Sequence, residues 1–183
     1  LKKKRLIKFE NSNNQLFSII KNYQLYEVLK KNLLKDKYFK KKLFNNKNYS
    51  FVCNYDLVIN CDYFNAITNK YFSKKILKEY NSFAYTTVIE HKTILNDTAV
   101  QVFTKIGPLA FLPISNNKTS IVYSINKSNN KTKVNIEELI NFYNFKYEIN
   151  KIGKIDYFKL KSLNLRSYYH NNILAFGDLL HRI

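Results

Sequence analysis

Four short segments rich in β-branched and aromatic residues, Phe83–Glu90, Ala99–Lys105, Pro108–Ile114 and Ser120–Asn126, follow one another with turn residues between them. Runs this short satisfy their backbone N–H and C=O groups by pairing with each other, and short connections favour antiparallel pairing. The spacing therefore predicts a mainly antiparallel sheet beginning at Ser82, with Gly107–Pro108 at or near a strand start. A further strand is expected at Tyr157–Leu163. The sequence Asn135-Ile-Glu-Glu138 has the pattern of a capping box and predicts a short helix to about Phe142.

The flanks have a different texture. Leu1–Asn14 is basic, then polar, and reads as a strand end followed by a turn. From Tyr23 to Asp36 the residues Leu25, Val28, Leu29, Leu33 and Leu34 recur at helical spacing, which predicts an amphipathic helix packing on another element. Lys37–Lys47 reads as its exposed exit. Two strand-like runs follow, Ser50–Cys53 and Leu57–Cys61, and the second is apolar enough to be buried and to deliver Asp62 at its end. Near the other end, Ile173–Phe176 is an apolar strand leading into Gly177-Asp178 and a strand-to-helix turn. The fold class read from this order is α/β (α+β), with an antiparallel sheet between two α/β flanks.

Composition narrows the function. The chain has 183 residues, 45% of them hydrophobic, which suffices for a real core. It begins at Leu1 and contains no Met, so an internal piece or a processed product is expected. The formal charge of +18 invites a nucleic-acid partner, yet Arg5, Arg166 and Arg182 are the only arginines. Bidentate readout of phosphates and base edges favours Arg over Lys. A solvated lysine surface is the better reading, with no nucleic acid as partner. Cys53 and Cys61 are too far apart for a CxxC pair and are expected as half-buried thiols in a reducing, cytoplasmic compartment. No apolar run approaches the roughly 18 residues of a membrane span.

Two turns could carry chemistry. At Gly177-Asp178, glycine would let a ligand approach the backbone closely, and the aspartate could accept hydrogen bonds from a sugar hydroxyl or cap the following helix. Asp62 stands in a similar context and is open to the same two readings. His91, His170 and His181 lack metal-ligand spacing and are expected to pack or to face solvent. No residue presents itself as a catalytic nucleophile or as half of a carboxylate pair.

Taken in order, these pieces resemble a family. Tyr55-Asp-Leu-Val-Ile-Asn-Cys-Asp62 is similar to the flavoprotein hydroxylase segment "DLVIGADG". Ala99-Val-Gln-Val-Phe, Gly107-Pro-Leu-Ala-Phe-Leu-Pro-Ile114 and Ser120-Ile-Val-Tyr-Ser124 resemble central strands of the ubiquinone-biosynthesis hydroxylases, FAD-dependent aromatic monooxygenases with a p-hydroxybenzoate hydroxylase-like fold. The stretch from Arg166 to His181 is similar to their second flavin motif, "R…LIGDAAH". Upstream, Ser18-Ile-Ile-Lys-Asn-Tyr-Gln-Leu-Tyr26 resembles the entry to the helix after the family's first sheet.

The resemblance implies an incomplete Rossmann-type FAD domain interrupted by an antiparallel substrate-binding sheet. Its expected divisions are 1–81 (partial FAD domain), 82–165 (substrate sheet) and 166–183 (return to the FAD domain). It implies FAD as cofactor, NAD(P)H as electron donor, and a prenylated phenol or quinone precursor as the ring hydroxylated. Gly177 and Asp178 would meet the flavin ribityl chain, and Asp62 would lie near the flavin phosphates. Peripheral contact with the inner face of the membrane, or a place in a biosynthetic complex, would follow. The family's GxGxxG and HPLAGQG segments do not occur in the chain, which is expected to hold FAD poorly alone and to expose apolar surface near Val58 and Leu174. Where the family has "GADG", the chain has Asn60-Cys61-Asp62-Tyr63, and Asn69 and Lys70 stand where an Arg is expected. These departures suit a competing reading, a diverged non-catalytic relative acting as an interaction or lipid-binding module.

Overall fold

The computed structural model describes residues 7, 9, 15–43, 50–126 and 135–182, so most of the strand end and turn expected at Leu1–Asn14 lies outside the described residues. The chain divides into two compact units, Leu1–Lys40 and Lys41–Ile183.

The first unit holds helix α1, Asn22–Leu33. Lys30 and Lys31 in its last turn complement the negative end of the helix dipole, and Asn32 folds back to donate to the Val28 carbonyl at 3.0 Å. The periodicity located this helix well. It did not locate a partner, because none of the helix residues is buried. Lys37–Leu43 is exposed, as expected of the exit.

The second unit is built on β2, Lys75–His91, and its pairings. With β3 (Val100–Phe103), β4 (Pro108–Ser115), β5 (Lys118–Asn126), β6 (Ile149–Ile152), β7 (Asp156–Leu165) and β10 (His181–Arg182), it forms a seven-stranded sheet in the order β10-β7-β2-β5-β4-β3, with β6 also on β2. Every pairing in this sheet is antiparallel. The expected strands are present, and β2 begins well before Ser82. A register shift between Glu79 and Phe83, with Asn81 at φ 51°, interrupts the β2–β7 ladder.

One face of this sheet packs on α3, Ile136–Tyr143, where the expected capping box predicted a helix; N-cap Asn135 accepts from the Glu138 N–H and donates through its side-chain amide to the Glu138 carboxylate. The core there comprises Ile89, Leu109, Phe111, Ile121, Tyr123, Ile125, Ile136, Ile140 and Tyr147. Each such side chain contributes about 1.5–3 kcal/mol by leaving water. A buried polar chain crosses this core. The Tyr147 hydroxyl donates to Asn96 Oδ1 (3.0 Å), Asn96 Nδ2 to Thr119 Oγ1 (2.9 Å), and Thr119 Oγ1 lies 2.9 Å from His91 Nε2. His91 Nδ1 is 2.8 Å from the Lys92 carbonyl, an acceptor only, so Nδ1 carries a proton there, while Nε2 pairs with the Thr119 hydroxyl.

A second core gathers Val52, Ile67, Phe72, Leu163, Leu165, Ile173, Ala175 and Leu179. Around it lie α2 (Ala66–Tyr71) and a three-stranded sheet of β1 (Val58–Asn60), β9 (Ile173–Ala175) and β8 (Tyr169–His170), in the order β1-β9-β8. β1 and β9 are parallel and are the only parallel pair among the described residues, which therefore form no multi-stranded Rossmann-type sheet. Three expectations are corrected. Ser50–Cys53 is not a strand; Ser50–Asn54 is a 3-10 turn tied down by Asn172, whose amide donates to the carbonyls of Val52 and Tyr55. A four-residue apolar run carries too little periodicity to separate the two. Both Cys53 and Cys61 are exposed: Cys53 lies in the 3-10 turn and Cys61 is the residue just past the end of β1. Gly177 opens a single 3-10 turn, Gly177–Leu179, and the chain then enters β10 instead of a helix.

Gly107 precedes β4 with φ +147°, and an added Cβ would sit 1.8 Å from the Ser124 carbonyl oxygen. Gly107→Ala is expected to cost about 3 kcal/mol or more, measured by urea unfolding; a loss under about 1 kcal/mol contradicts the β4–β5 packing. Burial raises the phenol pKa of Tyr123 and Tyr147 above 10. Groups with raised folded pKa stabilise fully below the unfolded value and lose that contribution as pH rises through the folded one. Alkaline titration should therefore release some tyrosinate absorbance only together with unfolding, above about pH 10.

Candidate functional site

The parallel ladder aligns Val58 with Ile173, Ile59 with Leu174 and Asn60 with Ala175. Both strands thus end at the same level, and the two turns singled out from sequence leave side by side. The Phe176 N–H donates to the Asn60 carbonyl at 3.0 Å, directly joining the residues that precede Asp62 and Gly177. In open α/β sheets, ligands settle outside the carboxyl ends of parallel strands.

The two turns differ in availability. The Asp62 turn is closed by its own hydrogen bonds. Buried Asn60 donates to Thr68 Oγ1 (2.8 Å) and accepts from Asn65 Nδ2 (2.6 Å). Thr68 Oγ1 donates to the Asp62 carbonyl at 2.6 Å, and Asn65 Oδ1 accepts from the Thr68 N–H, capping α2. Asp62 Oδ1 accepts from the Phe64 N–H at 2.8 Å, the Asx-turn use of a carboxylate. Tyr63 packs edge-on to Phe64 and bonds Lys75 through its hydroxyl. Asn60 and Tyr63 thus fill space that glycines would leave to a ligand. Asn60 as the hub of this knot was missed from sequence, although an Asn-Cys-Asp-Tyr-Phe-Asn-Ala-Ile-Thr run carries several residues that bond their own backbone.

The Gly177 turn is open. Gly177 has φ +64° and nothing lies within 4 Å of where a Cβ would stand. Asp178 is exposed, and among the described residues its carboxylate makes no hydrogen bond. The residue at the cap position is Phe176, which makes no side-chain cap, so the helix-capping reading of Asp178 does not hold. A bare glycine backbone beside an unpartnered carboxylate fits a polyhydroxyl ligand; the Asp62 turn fits one less well, with one carboxylate oxygen committed.

The antiparallel sheet has a second face. Opposite the α3 core, the register places Ala84, Thr86 and Val88 of β2 against Ser124, Val122 and Ser120 of β5, with Ala110 and Leu112 of β4 alongside. These side chains are small, apolar or hydroxylic, and all but Ala84 are partly or fully exposed. On β4, Leu109 and Phe111 are fully buried in the core, which leaves the alternate residues, Ala110 and Leu112 among them, to meet a ligand there. Of the histidines, His91 is a core residue, His170 stacks on Tyr71 with ring centroids 4.4 Å apart, and His181 bonds Asn164.

No protein-family model matches the sequence, and no curated protein matches it. Solved structures are similar in part. The tetracycline destructase Tet(51) is 16% identical over 69% of this chain and 39% of its own, with TM-score 0.41. The flavin-dependent halogenase CmlS is 14% identical over 68% of this chain and 26% of its own, TM-score 0.48. 2-Methyl-3-hydroxypyridine-5-carboxylic acid oxygenase in its tetrameric form is 11% identical over 69% of this chain and 38% of its own, TM-score 0.49. The chain therefore matches less than two fifths of the length of each of these proteins.

The contrast between the two turns is testable without a ligand. Asp62→Ala should lower stability by about 1 kcal/mol through loss of its backbone bond, whereas Asp178→Ala should change it by less than about 0.5 kcal/mol. Equal losses in chemical unfolding would refute the distinction.

Proposed function

We propose that this chain supplies part of an FAD-dependent monooxygenase that hydroxylates the ring of a prenylated phenol or quinone precursor with O2 and NAD(P)H. The observation that carries the reading is the parallel pairing of β1 with β9. Two segments singled out separately by their likeness to flavoprotein motifs, one before and one after the antiparallel sheet in sequence, end together and in register. In this reading 1–81 and 166–183 belong to the flavin-binding part and 82–165 to the substrate sheet. Asp178 holds ribityl hydroxyls, Gly177 admits the cofactor, and bound flavin supplies the oxygen chemistry. The face bearing Ala84, Thr86, Ala110, Leu112, Val122 and Ser124 suits a flat apolar ring with a hydroxyl to bond, and helps keep water from it.

A second reading has an observation of its own. The closed Asp62 turn, with Asn60 and Tyr63 in place of glycines, favours a relative that has given up part of the cofactor contact and serves as an interaction or lipid-binding module. The two differ at Asp178. Charge-assisted hydrogen bonds contribute about 1.5–3 kcal/mol, and about 1.4 kcal/mol is tenfold in affinity. In the full natural protein, Asp178→Ala should therefore weaken FAD binding roughly ten- to a hundredfold at unchanged apoprotein melting temperature, read by flavin fluorescence titration. Unchanged affinity, or no flavin binding by the natural protein, rejects the enzyme reading.

A further inference from the structure

The seven-stranded antiparallel sheet ends at β3. The Thr104 N–H donates to the Gly107 carbonyl at 3.1 Å where the β3–β4 hairpin closes. Beyond it the ladder pairs Phe103 with Pro108, Val102 with Leu109 and Gln101 with Ala110. Backbone groups along an antiparallel strand alternate in direction. Those of Thr104, Val102 and Val100 therefore turn toward β4, and those of Phe103 and Gln101 turn to the outer edge. No strand pairs with that edge among the described residues. Sheet edges are ordinarily guarded by a charge, a proline or a bulge. Val100-Gln-Val-Phe103 has none of the three, and Phe103 is 79% exposed.

The charges around the strand select what can meet it. Residues 93–117 contain one acid, Asp97, and one base, Lys105, in a chain of formal charge +18. Both are exposed, and neither forms an ion pair among the described residues. They stand at equal distances in sequence on either side of Gln101.

We propose that β3 pairs antiparallel with β3 of a second copy of this chain, across a two-fold axis at Gln101. An isologous contact of this kind sets each residue against its mirror position in the strand. Gln101 lies opposite its own counterpart, and the two exchange both outward backbone bonds. Each Val100 faces a Val102, each Ala99 a Phe103, and each Asp97 a Lys105. Opposite residues share a face of the sheet, so the exposed Phe103 ring covers Ala99 and the ends are closed by two pairs of opposite charge. A slip of two residues would preserve the backbone alternation but take Asp97 away from Lys105, so the charges fix the register. This neutral stretch is also where two strongly basic chains repel one another least. The pairing is independent of whether the chain binds flavin.

Sedimentation equilibrium of the purified 183-residue chain tests the proposal. A reversible dimer is expected. Gln101→Pro should abolish it and leave the circular dichroism of the chain unchanged, because the N–H it removes points away from β4. Asp97→Lys places like charges at both ends of the paired strands, and so does Lys105→Asp; each variant alone should associate at least roughly tenfold more weakly. Mixing the two variants restores opposite charges at both ends, and a heterodimer should form with the affinity of the unaltered chain. A chain that stays monomeric at every concentration overturns the proposal. So does a dimer indifferent to both charge variants, or a pair of weakened variants whose mixture does not associate.

Discussion

The first residue of β2 pairs with the last residue of β7, and the rest of the second unit depends on that meeting. Lys75 lies opposite Leu165, and the Arg166 N–H donates to the Lys74 carbonyl at 3.0 Å. The chain therefore enters and leaves the antiparallel sheet at one place. β1, which comes before, and β9, which comes after, can then lie side by side, although the whole sheet separates them in sequence. The second core sits at this junction, with Leu163 and Leu165 of β7 packed against Ile173 and Ala175 of β9 and Ile67 and Phe72 from the α2 region. Loosening it would separate the two candidate turns before it disturbed the α3 core.

Much of the sheet was legible because period-2 alternation and turn residues are local signals. β5 alternates buried and partly exposed positions along its length, and the capping box marked the start of α3. The edge strand β6 has no such signal, since Ile149-Asn-Lys-Ile152 is too short and too polar to stand out. The likeness to flavoprotein motifs located both turns of the candidate site. It did not separate them, because the difference arises from side-chain hydrogen bonds. Asn60, Asn65, Asp62 and Thr68 close one turn among themselves, while a left-handed glycine and a carboxylate with no partner among the described residues leave the other open. Nor could periodicity say what α1 packs against; it reports that a helix has an apolar stripe and is silent on what meets it.

Function divides along the same line. The sheet presents one face of large side chains to α3 and another of small, apolar and hydroxylic ones, so the core draws on alternate residues of these strands and leaves the others outside it. The parallel pair gives one turn to structure and leaves the other free. In the proposed flavin reading the cofactor contact would fall to Gly177 and Asp178, while the hydrogen bonds of the Asp62 turn serve the structure.

The claim on which this rests is the parallel register of β1 and β9. Backbone nuclear Overhauser contacts in the isotope-labelled protein test it most directly. The account predicts interstrand Hα-to-amide contacts linking Val58–Asn60 with Ile173–Ala175 in the aligned order of the ladder. Close Hα–Hα contacts between the two segments, the mark of antiparallel pairing, or no contacts between them, would contradict it.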